Sequence, residues 1–431
     1  MVEPLKIGLL GLGTVGTATA SILLSPDSRH PLLKEIEIAK VGVKTVDKRR
    51  GVDFSEEVLT TDLEGIVSDP NIDIIVELMG GLEPARSLIL KAIAKGKHIV
   101  TANKAVISRY GEEIYRAAET AGVYVLIEAA VGGGIPVIRP LQQALSVNHI
   151  QSVLGIINGT TNFILTKMAA EGSDFSDVLT EAQELGYAEA DPSADVDGYD
   201  AADKITILAT LAFGQQVSLD QVSCEGIRQV SAVDIQYAEQ LGFEIKLLAI
   251  AQRDEQGLQV RVHPTLVPKS HPLASIDGVN NAILVEGDPI GQVMFYGPGA
   301  GGGATGSAVV ADVMNIAAML KTGDQVNPLL KIPQHPSSEL VPIAELVTRF
   351  YARIICVDRP GVIGNLGTCF GKHEVSLESI VQIDFKNGLA EIVVVTHNVK
   401  EDNFRQALAE LPNLEAIDQI EIPCVLRVLR E

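Results

Sequence analysis

An acidic segment, YAEADPSADVDGYDAADK at residues 187–204, concentrates reactive side chains in a short stretch of chain. It holds six carboxylates and ends on one lysine, Lys204. One interpretation is a solvated loop that leads into a helix. The other is a polar pocket for an amine-bearing substrate, in which carboxylates bind the ammonium group and the lysine serves as an acid.

The end of this segment places Asp200 and Lys204 on one face of a predicted helix. They are four residues apart, and residues at that spacing are neighbours on a helix surface. A routine surface ion pair has the same spacing. Two features favour catalysis: Lys204 comes directly before a strongly apolar run, and Glu189 and Asp195 offer an ammonium group further partners. A charged lysine can donate a proton to a carbonyl oxygen as hydride reaches the carbon.

A glycine motif near the N-terminus predicts a dinucleotide site. Gly11, Gly13 and Gly16 follow the apolar run LKIGLL, which is typical of a buried parallel strand, and precede a run with helical character. In this context the glycines allow a tight turn and a close approach of the backbone to a pyrophosphate, which then lies at a helix N-terminus. The alternative is a glycine-rich turn without a ligand.

The residues after the second predicted strand bear on which dinucleotide binds. NAD enzymes usually end this strand on an acid that binds the adenosine ribose. Here Lys44 stands at that place, with Arg49 and Arg50 close behind, and cations favour the 2′-phosphate of NADP. Asp47 weakens this distinction, and solvated loop charges are the alternative. We expect NADP or NAD as the cofactor, with NADP favoured.

Two further loops follow predicted strands of the same region. The sequence TANK places Lys104 just past the carboxyl end of a strand, where open α/β sheets hold their ligands. The sequence EAAVGGGIP, at residues 128–136, combines one acid with three glycines. The residues leave open whether this second loop is a domain-crossing turn, a cage of backbone carbonyls or a loop that faces the substrate.

The elements that carry these residues predict an α/β fold. Strands alternate with helices up to about residue 150, which indicates a Rossmann domain with a parallel sheet covered on both faces. A mixed α/β region follows, and the C-terminal order β-α-β-β-α-β is ferredoxin-like. We predict a Rossmann domain at 1–133 with a helix at 304–320 that packs back onto it, a substrate-binding, catalytic and dimerisation domain at 134–330, a linker at 331–346 and a regulatory domain at 347–431.

The composition argues against several classes of protein. The formal net charge of −21 disfavours nucleic acid and anionic membranes as partners, because either would need a basic patch. The four cysteines form no C-x-x-C pair, so neither a disulfide scaffold nor a zinc ribbon is expected. The N-terminus does not have the pattern of a secretory signal, and we expect a cytoplasmic protein.

Together these motifs resemble homoserine dehydrogenase of the monofunctional kind that carries a C-terminal ACT domain. The sequences GLGTVG, TANK, EAAVGGGIP, NGTTNFIL, the acidic segment and GPGAGGGATGSAVV occur in the family's order and approximate spacing. The tail DRPGVIGNLGTCFGKHEVSLESIVQ is similar to the first half of an ACT domain. The resemblance implies reversible reduction of L-aspartate 4-semialdehyde to L-homoserine with NAD(P)H, in threonine and methionine biosynthesis.

The resemblance also implies roles for individual residues. Lys204 would be the proton donor and acceptor, and the substrate would be bound by Glu189, Asp200, Asp195 and Lys104. In addition to the motif glycines, Lys44 and Arg49, the dinucleotide would contact Thr14, Val15, Lys104, Gly186 and Gly303. A monovalent cation such as Na⁺ would be held, mostly by carbonyl oxygens, at Glu128, Val131, Gly133 and Ile135. A threonine effector would bind the ACT domain at Gly361 and Asn365.

Other functions remain open at this stage. Aspartate-semialdehyde dehydrogenase is another Rossmann oxidoreductase of an amino-acid pathway, but its chemistry needs a cysteine nucleophile. Three of the four cysteines lie after the linker, and the fourth, Cys224, has an unremarkable context. A second alternative is a non-catalytic sensor of nucleotides and amino acids. The complete set of acids and lysine in the acidic segment argues against it, because a sensor would not need them. For the ACT domain, dimerisation alone is the alternative to feedback, and we expect a homodimer or homotetramer.

Overall fold

The structure is a computed structural model of the chain, and it describes residues 4–46, 48, 50–323, 327–330, 340–386, 388–414 and 419–430. Its contacts divide the chain into two compact units. The first unit comprises Met1–Val153, Asp203–Gln221 and Asn280–Ser337, and the second comprises Leu154–Ala202, Val222–Val279 and Ser338–Glu431.

The strands of the described residues are β1 (Leu5–Leu10), β2 (Ile36–Gly42), β3 (Leu59–Thr60), β4 (Ile74–Glu77), β5 (His98–Thr101), β6 (Val125–Leu126), β7 (His149–Ile156), β8 (Ser223–Cys224), β9 (Phe243–Asp254), β10 (Gly257–Pro268), β11 (Asn280–Asp288), β12 (Gly291–Pro298), β13 (Val347–Val357), β14 (Leu377–Lys386), β15 (Leu389–Thr396), β16 (Val399–Lys400) and β17 (Glu421–Val428).

The α-helices of the described residues are α1 (Thr14–Leu24), α2 (Leu63–Ser68), α3 (Ala85–Ala94), α4 (Lys104–Ala121), α5 (Ile138–Gln142), α6 (Gly159–Glu171), α7 (Phe175–Glu184), α8 (Ser193–Val196), α9 (Tyr199–Phe213), α10 (Ala232–Gln240), α11 (Gly302–Thr322), α12 (Val362–Lys372) and α13 (Glu401–Glu410).

The first unit contains a six-stranded parallel sheet in the order β3-β2-β1-β4-β5-β6. This is the strand order of doubly wound dinucleotide-binding domains. All four residues of β4 are buried, as are the last four of β1, which explains why both strands are continuous apolar runs. The predicted Rossmann fold is confirmed.

Helix α11 packs in the core of this first unit. Val309, Val313 and Ile316 are fully buried and belong to the same apolar cluster as residues of β1 and β2. The helix lies close to α1, since a Cβ added to Gly306 would be 3.0 Å from the Cβ of Ala18. By length and composition alone α11 could cross a membrane, but half of its apolar window is buried within the protein.

The second unit contains a mixed sheet that includes the C-terminal ferredoxin-like layer. Strands β9 and β10 form a long antiparallel hairpin, and β10 continues through a parallel pairing to β17. The order then runs β17-β13-β15-β14, all antiparallel. Chain order β13-α12-β14-β15-α13-β17 confirms the predicted arrangement, apart from the added short strand β16. The rings of Phe350 and Phe404 stack in its core with centroids 4.3 Å apart.

Two predicted segments differ from the observed ones or lie outside them. The apolar run VYVLIEAAVGGG at 123–134 predicts a fifth strand of the Rossmann sheet, but the structure orders it as a strand only at Val125–Leu126. It stops because Glu128–Ala130 form a 3₁₀ turn, after which Gly132 and Gly133 adopt positive φ. Of the predicted linker, residues 331–339 lie outside the described residues.

Candidate functional site

The glycine motif of the first unit forms a tight turn between β1 and α1. Gly11 has φ +104°, and a Cβ there would be 2.8 Å from the carbonyl oxygen of Leu78. A Cβ on Gly16 would be 2.2 Å from the carbonyl oxygen of Gly11. Neither position has room for a larger residue without movement of the backbone. The turn therefore has the geometry that a dinucleotide motif requires.

Gly13, in contrast, faces open space. A Cβ there would meet no atom within 4 Å, although Gly13 is the N-cap residue of α1. The helix has no side-chain cap at this end, and its first turn, which includes Thr14 and Val15, carries no acid. Backbone N–H groups at an uncapped helix start favour an anion such as a pyrophosphate.

The carboxyl ends of β4 and β5 are joined by a buried acid that the sequence analysis did not single out. Glu77 accepts hydrogen bonds from the Met79 backbone N–H at 2.8 Å and from the Thr101 hydroxyl at 2.7 Å. Burial raises the pKa of Glu77, while these donors act in the opposite direction. An acid that closes an apolar strand, as in IIVELMG, is the signal that could have identified it.

Lys104 begins α4 at this edge of the sheet. Asn103 caps the helix by accepting from the Val106 backbone N–H at 3.3 Å, and its side-chain amide donates to the Gly81 carbonyl at 2.8 Å. The Thr101 hydroxyl accepts from the Asn103 backbone N–H at 3.0 Å. These contacts fix the residue that precedes Lys104 on three sides, so the start of α4 is well positioned.

The cations after β2 have different environments. Lys44 is exposed, two residues past the end of β2. The Arg50 guanidinium donates to the carbonyl oxygens of Thr45 at 2.5 Å and Lys48 at 2.7 Å, so it stabilises its own loop. Arg49 and Asp47 lie outside the described residues.

The predicted cation loop lies between β6 and α5. Glu128 is buried, and its carboxylate accepts from the backbone N–H groups of Val137, Ile138 and Arg139 at 2.7–2.9 Å, which caps α5. Burial raises the pKa of Glu128, although these donors lower it. Val131, Gly133 and Ile135 lie in the same turn, which is closed by a hydrogen bond from the Ile135 N–H to the Gly132 carbonyl.

Asp312, on α11, holds this loop in place. It accepts from the Glu128 backbone N–H at 2.8 Å and from the Arg139 guanidinium at 3.0 Å. Burial raises the pKa of Asp312 to about 7. Gly133 also packs tightly, because a Cβ there would be 2.5 Å from the carbonyl oxygen of Gly299. The turn around Glu128 is thus fixed from three directions.

Three of the six carboxylates in the acidic segment serve the fold. Asp203 accepts from the Ser108 hydroxyl at 2.6 Å and from the Arg109 guanidinium at 2.7 Å. Asp197 pairs with the Arg228 guanidinium. Asp191 accepts from the Ser193 backbone N–H at 3.1 Å, ahead of α8.

Two other carboxylates, those of Asp195 and Asp200, are brought together by an asparagine. The side-chain amide of Asn158 donates to Asp195 at 2.7 Å and to Asp200 at 2.9 Å. Its amide oxygen caps α6 by accepting from the Thr161 backbone N–H at 2.8 Å. This residue belongs to the motif NGTTNFIL, whose sequence alone assigns it no role. An asparagine directly before a predicted helix is a capping signal, but it does not reveal the two carboxylates.

Lys204 is half-buried and lies on α9 one turn after Asp200. Glu189 is exposed, and its carbonyl oxygen accepts from the side-chain amide of Gln183 at 3.0 Å. Gly186 has φ +76°, in the turn after α7. Gly303 is the second residue of α11, where an added Cβ would meet no atom within 4 Å.

The two predicted effector positions lie at the start of α12. Gly361 is the N-cap residue with φ +97°, a conformation that favours glycine. The Asn365 backbone N–H donates to the Gly361 carbonyl at 2.9 Å and so belongs to the first turn. No side chain caps this helix start.

The sequence matches three domain families. Residues 11–128 match the NAD-binding domain of homoserine dehydrogenase, residues 136–314 match homoserine dehydrogenase, and residues 350–416 match the ACT domain. A homoserine dehydrogenase from Synechocystis sp. is 64% identical over 431 residues, which are 98% of this chain and 99% of that protein.

Solved structures give the same relationship. The crystal structure of a homoserine dehydrogenase from Thiobacillus denitrificans is similar with a TM-score of 0.91 and 41% identity, over 99% of this chain and 98% of that one. A hyperthermophilic archaeal homoserine dehydrogenase in complex with NADPH is similar with a TM-score of 0.62 and 28% identity, over 74% of this chain and 98% of that one. The chain therefore belongs to the homoserine dehydrogenase family, and it is an NAD(P)-dependent oxidoreductase that interconverts L-aspartate 4-semialdehyde and L-homoserine.

Proposed function

We propose that Lys204 is the proton donor during aldehyde reduction and the proton acceptor during homoserine oxidation. A dinucleotide bound at the glycine motif would supply or take up the hydride at the reacting carbon. The ammonium of Lys204 gives a proton to the aldehyde oxygen, so that the C=O bond becomes C–OH, and it stabilises the negative charge that develops on that oxygen. The reverse reaction returns the proton to Lys204.

We propose that Asp195, Asp200 and Glu189 bind the substrate's ammonium group. The observation that carries this proposal is the bridge from Asn158 to Asp195 and Asp200, one helical turn before Lys204. Three carboxylates of the same segment have partners that explain them structurally, whereas Asp195 and Asp200 are joined to each other by one shared amide. Lys104, at the well-fixed start of α4, is proposed as a further contact of substrate or cofactor.

Replacement of Lys204 tests the assignment. Lys204→Ala should lower kcat by about 10²–10⁴-fold, the range of general acid–base catalysis, without changing the dissociation constant for the dinucleotide. Lys167→Ala is a matched control, because Lys167 pairs with Glu171 and Glu181 on α6 and α7 and should leave kcat unchanged. Near-normal turnover of Lys204→Ala would exclude this role.

We propose that NADP is preferred over NAD. Support comes from Lys44, an exposed cation two residues beyond β2. Lys44→Ala should raise the KM for NADP while it leaves the KM for NAD unchanged, because only NADP carries the 2′-phosphate. Initial rates of homoserine oxidation with each dinucleotide measure this preference, and an equal effect on both would refute it.

We propose that the loop of Glu128, Val131, Gly133 and Ile135 holds a monovalent cation such as Na⁺. The donor set fits, because a hard cation prefers oxygen ligands and the buried Glu128 carboxylate adds negative charge at the turn. Homoserine oxidation should increase with NaCl at constant ionic strength. Gly133→Ala should remove this dependence, since its Cβ would displace the backbone at Gly299.

For the C-terminal domain we propose threonine as a feedback inhibitor that binds near Gly361 and Asn365. Support comes from the uncapped start of α12, which offers backbone N–H groups to a carboxylate. Threonine should lower the rate of homoserine oxidation, and Asn365→Ala should weaken that response. An ACT domain that serves dimerisation alone would leave the rate independent of threonine.

We propose further that the enzyme is a homodimer or homotetramer in the cytoplasm. Sedimentation measures the size of the assembly.

A further inference from the structure

We infer that Asn158 is a positioning residue that sets the spacing and orientation of the two substrate carboxylates, an extension that rests on the role proposed for Asp195 and Asp200. Asn158 lies between the end of β7 and the start of α6, and it is 5% exposed. Asp195 is on α8 and Asp200 on α9. A single side chain therefore contacts residues of three helices, α6, α8 and α9.

The amide orientation is fixed by the hydrogen bonds on both of its ends. The oxygen accepts from the backbone N–H of Thr161 at 2.8 Å and from the hydroxyl of the same residue at 2.9 Å. The nitrogen has two N–H groups, and each is directed to a different carboxylate. A flipped amide would place its oxygen against two carboxylates and its nitrogen against a backbone N–H, so only one orientation is compatible with these neighbours.

This arrangement has a consequence for binding. Two carboxylates that face one ammonium group repel each other, and each loses hydration when it is buried. The amide of Asn158 compensates both with charge-assisted hydrogen bonds and engages one oxygen of each carboxylate. Because an amide is uncharged, these hydrogen bonds add no positive charge. An arginine at position 158 would also donate to both carboxylates, but it would neutralise their charge.

The alternative is that Asn158 serves only as the N-cap of α6. Serine separates the two roles, because it is an equally good N-cap residue but its single hydroxyl cannot donate to two carboxylates. Asn158→Ser should therefore keep the cap of α6, and its melting temperature should fall only by what the two lost hydrogen bonds to Asp195 and Asp200 contribute. It should raise the KM for homoserine by about tenfold or more, the effect of losing a hydrogen bond to a charged group, with a smaller change in kcat.

Asn162→Ser is the matched control. Asn162 is a buried amide one turn further along α6, and its side chain donates to the carbonyl oxygens of Ile276 and Gly278 at 3.1 and 3.0 Å. Its replacement should lower the melting temperature and leave the KM for homoserine unchanged. The dissociation constant for the dinucleotide should be unchanged in both variants.

Two results separate the inference from the function on which it rests. If Asp200→Asn raises the KM for homoserine while Asn158→Ser does not, the carboxylates bind substrate and the positioning role is wrong. If neither variant changes that KM, the proposed substrate site itself is wrong. If Asn158→Ser has the expected effect, adding it to Asp200→Asn should raise the KM by less than the product of the single effects, because both act on one contact. Multiplicative effects would overturn the positioning role.

Discussion

Arg427 is a buried cation of the second unit, and two carboxylates compensate its charge. It lies on β17 and is 3% exposed. Its guanidinium binds Glu401 through two hydrogen bonds of 2.7 and 2.5 Å and Glu225 through two of 2.9 and 2.8 Å. Burial alone would lower the pKa of Arg427, but the two carboxylates outweigh it and the pKa is raised. We predict that Arg427→Met strongly destabilises the C-terminal layer.

The size of this effect follows from what the substitution leaves behind. Glu401 is 3% exposed and would retain only Arg405, at 3.0 Å, among the ion pairs described here. Removing one partner of a buried ion pair costs about 3–5 kcal/mol. The Glu225 side chain is 39% exposed, so solvent screens it and its loss of Arg427 should add no more than about 1 kcal/mol. The free energy of unfolding should fall by about 3–6 kcal/mol.

Hydrogen exchange of the β17 and β13 amides is the appropriate assay, because it reports the stability of this layer within the intact chain. Arg427→Met should accelerate their exchange. The double variant Arg427→Met/Glu401→Gln should recover part of the loss, since it removes the stranded charge. Exchange within about 1 kcal/mol of the wild type in Arg427→Met, or a double variant less stable than the single one, would refute the reasoning.

The ion cluster of Arg427, Glu401 and Glu225 is connected to the acidic segment through the residues that follow Glu225. The residue after Glu225 packs against α8, because a Cβ on Gly226 would be 2.2 Å from the carbonyl oxygen of Val196. The next backbone N–H, that of Ile227, donates to this carbonyl at 2.8 Å. Asp195 precedes Val196. Arg427→Met should therefore raise the KM for homoserine in the folded protein, and it should do so without altering the dissociation constant for the dinucleotide.

Three further predictions concern other regions. Burial raises the pKa of the thiols of Cys356, Cys369 and Cys424, and partial burial raises that of Cys224 to about 11. Iodoacetamide at pH 7.5 should therefore leave the dehydrogenase active, and rapid complete inactivation would contradict this. Burial holds the pKa of His263 well below its usual range, so stability should fall by about 1.5 kcal/mol between pH 6.5 and pH 5, when only the unfolded chain takes up the proton. Urea denaturation at both pH values should show a smaller loss in His263→Gln, and the exposed His149→Gln should behave like the wild type. Gly13→Ala should retain the melting temperature, since its Cβ meets no protein atom, but it should weaken dinucleotide binding in calorimetry because the Cβ would occupy the open space at the start of α1. Gly16→Ala should lower both the melting temperature and the affinity for the dinucleotide.

The parts of the fold that could be predicted are those fixed by neighbours in sequence. The turn from β1 to α1 was predictable because Gly11, Gly13 and Gly16 specify it locally, and the ferredoxin-like order was predictable from short apolar runs between turns. The strand at 123–134 was overestimated, because a buried 3₁₀ turn has the same apolar composition as a strand. The pairing of β10 with β17 was not foreseen, since its residues are far apart in the chain.

The site was predictable only in residue type. The acidic segment is evident in the sequence, but the carboxylates that serve the fold cannot be told from the others there, because their partners are distant in the chain. Asp203 contacts Ser108, 95 residues away, and Asp197 contacts Arg228, 31 residues away. The contacts of Asn158 could not be predicted for the same reason, since it is 37 residues from Asp195 and 42 residues from Asp200 in the chain.

The identity of those distant partners distinguishes two kinds of carboxylate in one segment. Asp203 and Asp197 each contact a guanidinium, so their charge is compensated within the protein and offers little attraction to an ammonium group. The amide of Asn158 joins Asp195 and Asp200 to each other and orients both carboxylates without adding a positive charge of its own. If this difference controls binding, Arg228→Gln and Arg109→Gln should change stability more than the KM for homoserine. Asn158→Arg, which adds a cation between Asp195 and Asp200, should abolish homoserine binding while the dinucleotide still binds.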